Sequence, residues 1–300
     1  MSASSFGKDD LFSVHWINVL KQNFVTSIGE FYDIDYRSVG IARLLMGVGV
    51  TTYCISILLN FSFFRLAVPA TPGISGVVPF GILVVGMLVF SLLFLIGYYA
   101  RFAAAVLSIL LTIFFIHIEG GFNSSAIYVL KFFILLSVFL PVSHRFGVLS
   151  HSINQDCRGT SGSSNVSFKL SGFFLYLFLL ILYASNSLAK SGGTWEEGTA
   201  LRNILNVSFS TSYAGEIALQ LYQLLGVTPI INYFWLLVVT IFPLVLFTSS
   251  WFRTALISLF VGGHFVIFTH TTLYLFPIIN ISGVLLLLDS DFWDKIESMQ

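Results

Sequence analysis

The segment Phe168-Lys-Leu-Ser-Gly-Phe-Phe-Leu-Tyr-Leu-Phe-Leu-Leu-Ile-Leu-Tyr183-Ala-Ser-Asn-Ser-Leu-Ala-Lys190-Ser-Gly-Gly-Thr-Trp195-Glu-Glu-Gly-Thr-Ala200 joins an apolar run to a charged edge. Between Phe168 and Ala189 the only charge is Lys169, and the run is long enough to cross a bilayer, which takes about twenty residues. Directly after it Lys190, Trp195, Glu196 and Glu197 fall within eight residues, in a chain of which only 9% is charged. Scarce charge concentrated at the end of an apolar helix marks a candidate functional site.

Runs of the same kind recur outward from this segment in both directions. They lie near residues 39–61, 78–98, 102–118, 126–142, 231–249, 254–270 and 271–288. Hydrophobic residues make up 56% of the chain and 32 of its 300 residues are Phe, more apolar surface than a soluble domain could hide from water. The reading is an all-α, polytopic transmembrane helical bundle of about eight membrane helices, with the lipid bilayer as its first partner. The last two runs abut, so one of them is a candidate half-helix. A net charge of zero gives no reason to expect nucleic-acid binding. Two cysteines, Cys54 in an apolar run and Cys157 in a polar loop, do not make a disulfide framework.

Placing the N-terminus inside puts ten of the fourteen Lys and Arg on inner segments and three, Arg65, Lys190 and Arg202, on outer ones. The positive-inside rule therefore predicts cytoplasmic N- and C-termini and places Lys190 on the far side, facing the outside of the cell or a lumen. No signal peptide is expected, because Lys8, Asp9 and Asp10 precede no continuous apolar core. Residues 1–35 read as a cytoplasmic segment with an amphipathic surface helix at 11–24, residues 36–290 as the membrane domain and 291–300 as a short tail. The polar stretch at 157–167 reads as a flexible inner loop. In the outer segment, Ile217, Leu221, Leu224 and Leu225 recur at helical spacing, as in a helix lying against the membrane or re-entering it.

The residues able to do chemistry cluster toward the outer side. Lys190 has Asn186 four residues earlier on the same helical face. A lysine here either snorkels to the headgroups or, if desolvation lowers its pKa, works as a base. Trp195 is either an interfacial anchor or part of that site. Glu119, in His117-Ile-Glu-Gly-Gly121, reads either as a loop acid beside a Gly turn or, on the same predicted side as Lys190, as a feasible ion-pair partner for it. Lys131 sits inside an apolar run and must either face the bundle interior or snorkel outward. His264 follows the Gly262-Gly263 pair, which permits close helix approach, and His270 lies six residues on. That spacing does not put two imidazoles on one face, and no metal site is expected.

The Lys190–Ala200 pattern, a Lys five residues before a Trp with Glu197-Gly198 behind it, resembles the vitamin K-dependent gamma-carboxylase superfamily and its bacterial branch, the horizontally transferred transmembrane (HTTM) domain. Within that branch Trp195-Glu-Glu-Gly-Thr-Ala200 is most similar to the sporulation-delaying protein B family, which helps to mature a secreted peptide toxin. Supporting likenesses are Tyr36-Arg-Ser-Val-Gly-Ile-Ala-Arg43, Ile96-Gly-Tyr-Tyr-Ala-Arg101, Glu119-Gly-Gly, Gly262-Gly-His264 and Phe276-Pro277. The chain departs from the carboxylases at Asn123-Ser-Ser-Ala126, where they carry a His near an Asn, and it lacks their large lumenal region. The resemblance implies Lys190 as base, with Glu197, Glu119 and His264 as further catalytic candidates. Asn186, Trp195, Lys131 and His270 are candidate substrate- or cofactor-binding residues. It also implies an exported peptide as substrate or partner; the residues name no cofactor, and family analogy points to a reduced quinone. A non-catalytic membrane partner for peptide export or anchoring stands as the alternative, with a transporter behind it.

Overall fold

The computed structural model describes residues 34–60, 80–117, 125–140, 142, 166–190, 192–206, 211–247 and 250–299. Glu119, the surface helix read at 11–24 and the inner loop around Cys157 lie outside the described residues. The architecture is all-helical; among the described residues the only β contact is an isolated antiparallel bridge, Thr211 to Thr271.

Every apolar run read from the sequence is matched by a helix. They are α1 (Tyr36–Leu59), α2 (Phe80–Ile96), α3 (Ala100–His117), α4 (Ser125–Ser137) and α5 (Val166–Ala189). After three short helices, α6 (Gly193–Glu196), α7 (Ala200–Leu205) and α8 (Tyr213–Leu224), come α9 (Thr228–Ile241), α10 (Ser250–His270) and α11 (Leu275–Leu285). The chain closes with α12 (Ser290–Ser298). Pro243 cannot donate to an α-helical ladder, and there α9 gives way to a 3-10 segment, Phe242–Phe247.

Among the described residues four stretches are long and apolar enough to cross a membrane: α1, the part of α5 from Gly172, Thr228–Val245 and the body of α10. A fifth counts if α11 and α12, which meet at a 93° bend, are taken as one broken span. The apolar stretches of α2, α3 and α4, Phe80–Ile96, Ala100–Ile116 and Ala126–Ser137, are shorter. The run read at 271–288 holds a helix of only 11 residues, so the abutting pair resolves into one full-length helix and one short one.

The exterior is apolar. On α2, Ile82, Val85, Val89, Leu92 and Ile96 form one exposed stripe, an apolar face of the kind that lipid solvates. The opposite face of α2, with Leu83, Val84, Met87 and Phe94, is buried against α1 and α3. In turn α1 packs on α11, which packs on α10. Arg43, which the charge count placed on an inner segment, is buried in the second turn of α1, beside Phe133, Ser137 and Leu286.

One end of the bundle is tied by polar side chains. Asp35 caps α1 by accepting from the Arg37 amide at 2.7 Å. The Arg37 guanidinium meets Asp35 and Asp294 at 2.8 Å each and Glu297 at 3.2 Å. The Trp293 indole donates to Ser38 at 2.8 Å. Replacing Arg37 by Met leaves three carboxylates facing one another and loosens α12. The expected result is a loss of about 1–2 kcal/mol and faster proteolytic clipping of the C-terminus. An unchanged clipping rate would mean that the cluster does not hold α12.

Candidate functional site

The stripe Tyr183, Asn186, Lys190 on α5 is spaced i, i+3, i+7, so all three side chains leave one face of the helix. Lys190 sits just past the last residue of α5, where a cation complements the negative end of the helix dipole. Its ammonium donates to Asn186 Oδ1 at 2.7 Å and lies 5.4 Å from the centre of the Trp195 ring. Burial draws the Lys190 pKa down from 10.5 to about 8, because the charged form is the one that loses hydration. Among the described residues no carboxylate pairs with it.

Trp195 is carried by α6, part of a small cap made with α7 over the end of α5. Two side chains of α9 hold this cap. Asn232 donates from Nδ2 to the Trp195 carbonyl and accepts at Oδ1 from the Leu201 amide, both at 3.2 Å. The Tyr233 hydroxyl donates to the Glu196 carbonyl at 2.6 Å. Gly198 turns the chain between α6 and α7 with φ +70°, and any side chain there would also press on Pro229 and the Tyr233 ring.

His264 lies beneath the cap, 2% exposed. It is boxed by Phe260, Trp235 and Phe276, with ring centres at 4.2, 5.3 and 5.7 Å. Its Nδ1 is 3.0 Å from the Phe260 carbonyl. A carbonyl only accepts, so Nδ1 carries the proton and Nε2 is left as an acceptor. Lys190 is close enough to act on this ring electrostatically. Tyr183 lies deeper, about 10 Å along α5 from Lys190, with its ring against Phe242 and Phe260 at 4.7 and 5.1 Å. His264 and Tyr183 share the Phe260 ring in an aromatic wall built from α5, α9 and α10.

Other residues picked out by the sequence stand elsewhere. The Glu197 side chain is exposed at the end of α6, and Glu196 contributes its carbonyl to the cap. His270 bonds through Nδ1 to Val266 and Thr269 at the C-terminal end of α10, stacked on Tyr222 of α8. Its carbonyl accepts from the Ser212 amide, so this corner ties α8 to α10. The Lys131 ammonium rests over the rings of Phe115 and Phe132 at 5.3 and 5.7 Å. Phe132 meets α5 at Phe178, some 18 Å of helix before Lys190, so Lys131 is not brought to Lys190. Among the described residues no group of His, Cys, Asp and Glu could hold a metal.

Sequence reasoning missed Asn232, Trp235 and Tyr183. A lone amide in the apolar run Ile230-Ile-Asn-Tyr-Phe-Trp-Leu-Leu237 was the available signal for Asn232. The Tyr183 hydroxyl, buried, has no hydrogen-bond partner among the described residues. Tyr183→Phe keeps the ring contacts and removes an unmatched polar group, so a gain of about 1 kcal/mol is expected in thermal unfolding of the detergent-solubilised protein. A lowered midpoint would show that the hydroxyl is bonded.

No protein-family model, no curated protein and no solved structure matches this chain.

Proposed function

We propose that this is a membrane protein that modifies or matures an exported peptide at an outward-facing site, with Lys190 as base or anchor. One observation carries the reading: a lysine amine held by Asn186 beneath Trp195 and drawn by burial to about 8. An ammonium that merely snorkels keeps its hydration and its ordinary pKa, whereas an amine near neutrality can accept a proton at ambient pH. His264, whose Nδ1 bond to the Phe260 carbonyl leaves Nε2 as an acceptor, is the second group in this proposal to relay or hold a proton. Glu119 joins the proposal from the sequence alone.

The finer topology belongs to the same proposal: eight crossings on the HTTM plan, both termini cytoplasmic, in a bacterial inner membrane. The resemblance at Lys190–Ala200 supports that plan and, by analogy, a reduced quinone as co-substrate. The alternative is a non-catalytic partner for peptide export or anchoring, in which Lys190 and Trp195 grip an anionic or aromatic group of the peptide.

The test is mass spectrometry of peptides exported by the host cell, comparing wild type with Lys190→Met at equal protein abundance. The expected result is a modified or cleaved peptide that disappears in the variant, and a difference of one CO2 would identify the reaction as carboxylation. Identical peptide profiles would sink the chemical reading.

A further inference from the structure

We propose that Asn232 is a positioning residue for Lys190: by capping both short helices over the end of α5, it keeps the Trp195 ring on the amine and water off it. This rests on the reading of Lys190 as the working group of the site.

The helices α6 and α7 have four and six residues, far below the length at which a helix stands alone in water. Their geometry must come from what they are tied to. Neither has a side-chain N-cap bond of its own: Gly192 has no side chain, and Thr199 makes no such bond. The Leu201 amide, one of the unpaired donors of the first turn of α7, is satisfied instead by Asn232 Oδ1. The same carboxamide turns its Nδ2 to the Trp195 carbonyl in the last turn of α6. One side chain thus supplies a cap to the start of one helix and the end of the other. Asn232 is 1% exposed, so water cannot replace either bond if the carboxamide is removed. It also stands on α9, the helix that carries Trp235 against His264. The cap and the aromatic wall are therefore fixed to one element.

Among the described residues the groups near Lys190 are few. On its own helix there is Asn186; on the cap, Trp195, with the carboxylates of Glu196 and Glu197 turned to the exposed side. From α9 comes Tyr233, whose hydroxyl is committed to the Glu196 carbonyl, and from α10 comes His264. With no carboxylate paired to the amine among the described residues, dehydration under the cap dominates its titration.

The experiment is pulsed acetylation of the full-length protein in lipid nanodiscs with acetic anhydride, from pH 6 to 11, with labelling of Lys190 read by mass spectrometry. The wild-type midpoint is expected at about 8. In Asn232→Leu the loosened cap rehydrates the amine, and the midpoint should rise by at least about one unit, toward the ordinary lysine range near 10.4. Labelling at high pH should not fall, because the lysine becomes more accessible. Asn232→Ser, too short to reach both partners, should shift the same way if the leucine variant does not fold. A folded variant of either kind with an unmoved midpoint overturns the proposal. The midpoint reports the amine alone, so its failure is distinct from that of the functional reading. A midpoint that moves while Lys190→Met leaves the exported peptides unchanged would retain the positioning role and remove the chemistry.

Discussion

Lys190→Arg is expected to abolish the change in the exported peptide while leaving the protein folded and at normal abundance. Arginine keeps the positive charge, can donate to Asn186 and can lie over the Trp195 ring, so each contact of Lys190 seen in the structure has a counterpart. It cannot give up its proton at any pH the protein survives. If the amine is a base, product formation should fall by about 100-fold or more, the usual share of general-base catalysis. If Lys190 only anchors or snorkels, arginine should serve nearly as well, and an active Lys190→Arg would remove the base from the mechanism.

The pH dependence separates the same two readings. Burial lowers the Lys190 pKa to about 8, so the neutral, active amine accumulates as pH rises. The wild-type rate should climb about tenfold per unit below pH 8 and level off above it. Linkage gives the matching sign for stability. The folded pKa lies below the unfolded one, so the fold disfavours the ammonium. Stability contributed by this group should rise as pH increases from about 8 toward 10.5 and be constant below that window.

The helices were legible because lipid solvation leaves a simple signature. The run read at 39–61 became Tyr36–Leu59, and that at 168–189 became Val166–Ala189. A membrane helix satisfies its own backbone, so apolar length alone reports it. The short run at 271–288 was harder, since α11 ends at Leu285 and the chain then turns through 93°. The Lys190–Asn186 pair was legible from the i, i+4 rule. The cap was not, because helices of four and six residues carry no periodicity and are set by Asn232, more than thirty residues further along the chain. Lys131 drew notice for the cost of a charge in an apolar run, but its setting on the Phe115 and Phe132 rings depends on how α3 and α4 meet.

Gly263→Val should be the most damaging single change to the wall of the site, and Gly262→Ala its harmless neighbour. A Cβ at Gly263 would overlap the six-membered ring of Trp235, whereas one at Gly262 meets nothing within 4 Å. The Trp235 ring is held between Gly263, Phe260 and His264, so it cannot yield without leaving His264 and Phe260 as well. Overpacking of this kind costs about 1–3 kcal/mol, and the displaced aromatic pair adds roughly 0.5–1.5. At Gly262 alanine only restricts the unfolded chain and favours the helix, worth up to about 1 kcal/mol. Thermal unfolding in detergent, followed by tryptophan fluorescence, should therefore show a lowered midpoint for Gly263→Val and an equal or raised one for Gly262→Ala. The two positions are adjacent in one helix and share its propensity and depth. Valine, like alanine, is a better helix former than glycine, so a drop at Gly263 alone reports what that position faces, and equal outcomes would mean that α9 and α10 do not approach at Gly263.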